Sequence, residues 1–155
     1  MATVIFSLGS NIGDREHHLE QARAGLQDFM TDFKVSRVIE TAPQYVTDQP
    51  VFLNQVVVGN TYVAPTEIVA LTKSLQQQIG RTKTYQNGPR EIDIDILYYD
   101  DFVINTADLV IPHPRIAERL FVLEPLCELA PDWVCPVTRK SVQVMLDELV
   151  RQENG

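Results

Sequence analysis

Apolar positions along this chain recur with two periods, and the switches between them mark out its elements. TVIFSL (3–8) is an apolar run of strand length and predicts a buried strand. GSNIGD (9–14) follows as a turn that offers Asn11 or Asp14 as a helix N-cap. Leu19, Ala22, Leu26, Phe29, Met30 and Phe33 then repeat at helical spacing, which predicts one amphipathic helix over 14–32. KVSRVIET (34–41) alternates and predicts a second strand, APQYVTDQPV (42–51) carries two prolines and reads as a loop, and FLNQVVVGNTYV (52–63) predicts a long third strand. Pro65 and Glu67 open a second helix that Gly80 closes, with Ile68, Val69, Leu71, Leu75 and Ile79 on its apolar face.

RTKTYQNGPRE (81–91) has no apolar period and is basic, so an exposed, mobile loop is expected there. EIDIDIL (91–97) then alternates acid and aliphatic residue by residue, a pattern only a strand accommodates, and the strand should run on to Tyr99. Asp100 and Asp101 make a turn into FVIN (102–105), giving a hairpin. After VIPHPR (110–115) come a short helix near 116–123, an apolar stretch to Leu129 and a last helix over about 141–151. That helix should bury Val142, Met145, Leu146, Leu149 and Val150. The order β-α-β-β-α-β with a trailing hairpin strand and two further helices is the ferredoxin-like α+β unit, an antiparallel sheet with helices on one face.

Composition narrows the classes. A length of 155 residues with 45% hydrophobic and 22% charged residues suits one globular domain over 1–155, and shows no internal repeat or low-complexity segment. A net charge of −8 argues against a nucleic-acid partner. Cys127 and Cys135 form no disulfide framework or zinc pattern, and MATVIFSL (1–8) lacks the features of a signal peptide. No apolar run approaches the roughly 20 residues of a membrane span. A soluble, cytoplasmic monomer that binds small molecules is the expectation.

The alternating strand carries the chemistry. Its isoleucine face must be buried, which leaves Glu91, Asp93 and Asp95 about 7 Å apart along the other face. Like charges side by side repel, and Asp is disfavoured in strands. A solvated face neutralised by lysines of a neighbouring strand is one explanation, but FLNQVVVGN supplies no base. A divalent cation is the other, since magnesium favours one or two carboxylates completed by phosphate oxygens and water. Six of the thirteen Lys and Arg residues fall between Lys73 and Arg119 in this acidic chain, among them Arg81, Lys83, Arg90 and Arg115. Arginines beside metal-holding carboxylates are what a polyphosphate requires. His113 lies between two prolines next to Arg115. GSNIGD is neither a Walker A loop nor G-x-G-x-x-G, which disfavours a P-loop or dinucleotide fold.

LGSN (8–11), DQPVFLN (48–54), GR (80–81), GPREIDIDIL (88–97) and IPHPR (111–115) together resemble the 6-hydroxymethyl-7,8-dihydropterin pyrophosphokinases, in order from residue 3 to about 136. The resemblance implies transfer of pyrophosphate from ATP to a pterin alcohol in folate biosynthesis. It implies that Asp93 and Asp95 hold two Mg2+ ions, and that Arg81 and Arg90 join them as catalytic groups at the triphosphate. Gln76, Lys83, Ile96, His113 and Arg119 complete the implied ATP site, and Thr41, Ala42, Pro43, Phe52, Asn54 and Phe121 the implied pterin pocket. The chain departs from the usual pattern in four places. Gln76 stands where Glu is common, and Lys83 where a second loop arginine is often found. Tyr85 lies where some members have a tryptophan, and TAPQY lacks a Pro-x-Gly. From the residues themselves two other classes stay open: a D-x-D metal-dependent sugar-nucleotide transferase, and a nucleotide-binding module without turnover.

Overall fold

The computed structural model describes residues 1–41, 51–80 and 91–154. Three long strands organise it: β1 (Ala2–Ser10), β4 (Phe52–Thr61) and β5 (Asp93–Tyr99), joined by the short β2 (Thr31–Val35) and β3 (Ile39–Thr41). The sheet order is β2-β4-β1-β5 with β3 also on β4, and every pairing is antiparallel. Helix α1 (Arg15–Gln27) links β1 to β2, and α2 (Pro65–Ile79) links β4 to β5, which is the ferredoxin-like arrangement. Asp14 caps α1 by accepting the His17 N–H. Gly80 closes α2 at φ +106°, in the left-handed conformation that a helix stop favours.

Side-chain alternation gives the sheet two apolar faces. Val4, Phe6 and Leu8 of β1 meet Leu53, Val57 and Ile94, under Leu19, Ala22 and Leu26 of α1 and Ile68 of α2. Ile5, Val56, Leu97 and Tyr98 form the other face. It is covered by α3 (Leu120–Leu129) and α4 (Val142–Asn154), through Val122, Leu123, Leu126, Val142, Met145 and Leu149. Helices therefore lie on both faces, not on one, because the second face is equally apolar and must be buried. Cys127 and Cys135 are free thiols, and Cys135 is part of this second core. Among the described residues no helix is long and apolar enough to cross a membrane.

Several element boundaries differ from those the pattern predicts. The first helix stops at Gln27; Met30 is buried from a turn and Phe33 partly buried from a strand instead. Met30 packs where Gly59 has no side chain: a Cβ there would stand 2.6 Å from its Cε. Gly9 and Ser10 extend β1 rather than starting the turn. The 34–41 strand is split in two, since the Ser36 hydroxyl accepts the Val56 N–H at 2.9 Å in place of a ladder bond. Strand β6 (Ile104–Asn105) pairs with β7 (Val110–Ile111) and not back onto β5. A 3-10 turn (Ile116–Glu118) precedes α3, which continues through Pro125 to Leu129. Leu71 and Val150, expected on buried helix faces, are 38% and 39% exposed. The expected loop over 42–51 lies, but for Val51, outside the described residues, and that over 81–91 does so but for Glu91.

Ser36 also fixes the break between β2 and β3 through its backbone, donating to the Val56 carbonyl and accepting Gln55 Nε2. Ser36→Ala would leave the buried Val56 N–H without its acceptor. It should cost about 1–3 kcal/mol in urea unfolding.

Candidate active site

The β5–β1–β4 register builds the site. On one face Asp93 stands opposite Gly9, and Gly9 opposite Asn54; one step along, Asp95 stands opposite Ser7, and Ser7 opposite Val56. Helix α3 covers Val56 and Leu97 on this face, but the end formed by Ser7, Gly9, Asp93 and Asn54 lies open as the floor of a cavity of about 520 Å³. Phe52 and Asn54, two apart on β4, face it together with Thr41 of β3, which pairs with Phe52. Phe121, in the first turn of α3, lines the same cavity. Asn54 is 4% exposed, and its Nδ2 donates to Thr41 Oγ1, which holds the amide in the cavity wall.

The outer edge of β5 forms the other half of the cavity. Val69, Thr72, Lys73 and Gln76 of α2 line it, together with Asp108, Leu109 and Val110 of the β6–β7 hairpin. Buried Gln76 accepts the Ile94 N–H with Oε1 at 3.0 Å, so α2 is tied to the strand between its two aspartates. His113 donates its backbone N–H to the Leu97 carbonyl at 3.0 Å. Its Nδ1 accepts the Arg115 N–H at 3.1 Å, which leaves Nε2 to carry the ring hydrogen. The Arg119 guanidinium stands 5.6 Å from the centre of the Phe121 ring.

Of the residues singled out from sequence, Thr41, Phe52, Asn54, Gln76, Asp93, Asp95, Ile96, His113, Arg119 and Phe121 all line this one cavity. Ala42, Pro43, Arg81, Lys83 and Arg90, with Tyr85, lie outside the described residues. Arg115 is exposed and pairs with Glu118 at 3.5 Å. Ser7, Gly9, Thr72 and Asp108 also line the cavity and had no site role assigned from sequence, although Gly9 belongs to the motif LGSN. For Ser7 a signal existed: a small polar residue interrupts the apolar run TVIFSL.

Asp93 and Asp95 offer hard oxygen donors on the same strand face, and their partners on β1, Gly9 and Ser7, carry no charge. Among the described residues no group of three or more Asp, Glu, His or Cys is placed to hold a metal. Two carboxylates with the remaining positions left to phosphate oxygens and water suit magnesium rather than zinc or calcium. Burial pushes the His113 imidazole down to about 4, with Arg119 adding to the shift and Asp93 opposing it. Below the ordinary value of 6.5 the unfolded chain takes a proton that the folded chain refuses until about 4. The contribution of His113 to stability is therefore whole above pH 6.5 and is lost as pH falls to 4. Replacing His113 by Asn should flatten this part of the stability–pH curve, measured by urea midpoints across that window.

Residues 5–131 match the family described as 7,8-dihydro-6-hydroxymethylpterin-pyrophosphokinase. A 2-amino-4-hydroxy-6-hydroxymethyldihydropteridine pyrophosphokinase of Aquifex aeolicus is 40% identical over 143 residues, covering 92% of this chain and 89% of that protein. The Bacillus subtilis protein of the same name is 46% identical over 125 residues, 79% of this chain and 75% of that one. A folic acid synthesis protein of Schizosaccharomyces pombe is 42% identical over 148 residues, but the chain spans only 20% of its length. Among solved structures, a Plasmodium falciparum HPPK-DHPS shares the fold with a TM-score of 0.80 at 16% identity, covering 97% of this chain and 46% of that one. The chain belongs to the 7,8-dihydro-6-hydroxymethylpterin-pyrophosphokinase family.

Proposed function

We propose that this chain transfers pyrophosphate from ATP to the hydroxymethyl oxygen of 6-hydroxymethyl-7,8-dihydropterin, releasing AMP. Family membership makes it a pyrophosphokinase of folate biosynthesis. The observation that carries the substrate reading is that one cavity holds two half-buried aspartates and, across Gly9, an aromatic and amide pocket. A flat heterocycle rich in donors and acceptors fits between Phe52 and Phe121 with its edge on Asn54. A triphosphate fits along β5, between α2 and His113.

In this reading Asp93 and Asp95 hold two Mg2+ ions, which when bound supply charge neutralisation at the phosphate oxygens. The chain's own residues do the rest by positioning. Thr41 orients the Asn54 amide, the two phenyl rings fix the plane of the pterin, and the hydroxymethyl oxygen is brought in line with the β-phosphorus. His113 donates from Nε2 to a phosphate oxygen, and Arg119 adds a fixed positive charge beside it. Arg81 and Arg90 are assigned to the triphosphate and Lys83 to the same anion, with Ala42 and Pro43 beside the pterin. Gln76 and Ile96 form the nucleotide wall.

The wild type incubated with magnesium, ATP and the pterin alcohol should release AMP, whereas ADP or free phosphate would refute the reading. Asp93→Ala and Asp95→Ala should each abolish turnover with the fold intact, since loss of one carboxylate relieves repulsion along the strand. Near-wild-type rates at ordinary magnesium would remove the metal assignment. Phe121→Ala should weaken flat heterocycles of every kind by about 0.5–1.5 kcal/mol of stacking besides lost area. Asn54→Leu should selectively weaken those with the pterin hydrogen-bonding edge, by roughly 1–3 kcal/mol for each ring group left unpaired. Titrating the pterin and a carbocyclic analogue of the same shape into both variants separates the two effects.

A further inference from the structure

Gly9 lies inside the nine-residue strand β1, at the floor of the cavity. A glycine in the interior of a strand weakens it, since it loses the most backbone freedom on folding and has no side chain to pack. Nothing in the backbone asks for it: Gly9 is paired on both sides in an unbroken stretch of ladder, and its φ is not left-handed. Nor does packing within the protein exclude a side chain. A Cβ built on Gly9 would stand 3.4 Å from Asn54 Oδ1 and 3.7 Å from Phe52 Cδ1, ordinary contact distances. The neighbouring position on the same face, Ser7, does carry a side chain and is 9% exposed. The gap is confined to one row of the sheet.

That row is Asn54, Gly9, Asp93. Adjacent strands lie about 4.8 Å apart, so the amide that reads a ring and the nearer carboxylate are separated by about 10 Å, with only the Gly9 backbone between them. A substrate whose ring is held at Asn54 and whose reacting oxygen must reach the phosphate held beside Asp93 has to cross that row. Its arm is a single carbon bearing the hydroxyl, too short to pass around an obstacle.

We propose that Gly9 determines specificity: its missing side chain is the passage through which the hydroxymethyl arm of the heterocycle reaches the carboxylates of β5. The assignment rests on the ring-binding reading of Phe52, Asn54 and Phe121 given above. A methyl at this position narrows the passage, and a β-branched side chain fills it while improving the strand.

Gly9→Ala and Gly9→Val test this in the full chain. Melting temperatures should hold or rise in both. Calorimetric titration of the pterin alcohol, with magnesium and a non-hydrolysable ATP analogue present, should show affinity reduced severalfold in Gly9→Ala and about tenfold or more in Gly9→Val. Unsubstituted pterin, which has no arm, should lose far less, and affinity for the magnesium–ATP analogue should stay at the wild-type value. A folded Gly9→Val with wild-type affinity for the pterin alcohol overturns the proposal, as does an equal loss for both pterins. If Gly9→Val does not fold, the same comparison in Gly9→Ala decides. A wild type that forms no AMP defeats the functional reading itself. Turnover by the wild type, together with unaltered binding in the variants, defeats only the role of Gly9.

Discussion

The site depends on the register of β1 between β4 and β5. Because side chains alternate across a strand, a slip of one residue would carry Asp93 and Asp95 into the α1/α2 core and Ile94 out of it. The register is held by burial on the other face: Val4, Phe6 and Leu8 are fully buried, and Ile94 beside them is 5% exposed. Their apolar contacts set which face the aspartates take. The core thus fixes the position of charges that by themselves would oppose the strand.

The same strand is an edge, and an edge leaves backbone groups to be satisfied. Here they serve to attach the walls of the cavity. The Ile94 N–H donates to Gln76 of α2, and the Leu97 carbonyl accepts from His113. Helix α2 and the His113 segment are therefore positioned against the carboxylate strand by the bonds that protect its edge. Leu97 has no partner in the β1 register, which shifts between Ile5 and Phe6. This irregularity turns its carbonyl to the segment that carries His113 and Arg119. A Glu at 76 could accept the same bond, but it would add a third negative charge beside Asp93 and Asp95; the neutral amide of this chain avoids that.

On the opposite side of the row, polarity is handled in the same way. Asn54 is buried on a central strand, where an unpaired amide would be costly, and the Thr41 hydroxyl holds one end of it. Arg119 lies over Phe121, so the aromatic wall of one half of the cavity also orients a cation of the other. The two halves share residues at their boundary, and in the proposed reaction that boundary is where ring and phosphate meet.

Much of this was legible in the residues. The alternation of EIDIDIL dictates a strand with one apolar and one acidic face whatever surrounds it, because the period of two is a property of the backbone. Pro65 and Gly80 bound α2 for equally local reasons, and the order of periods was enough for the ferredoxin-like unit. Other features depend on what a segment meets in space. Met30 and Phe33 continue the helical spacing of α1, yet leave the helix because β4 offers a strand partner and Gly59 a place for Met30. The strand expected over 34–41 divides because Ser36 finds Val56, twenty residues away. The second helical layer needed the face of Ile5, Val56, Leu97 and Tyr98 to be assembled from three strands before it could be recognised as apolar. Asp93 and Asp95 stand out in the sequence as charges out of place, whereas Gly9 becomes meaningful only when pairing sets it between Asp93 and Asn54. Local periodicity determines which way a side chain points; what it points at is decided by long-range pairing, which no local pattern encodes.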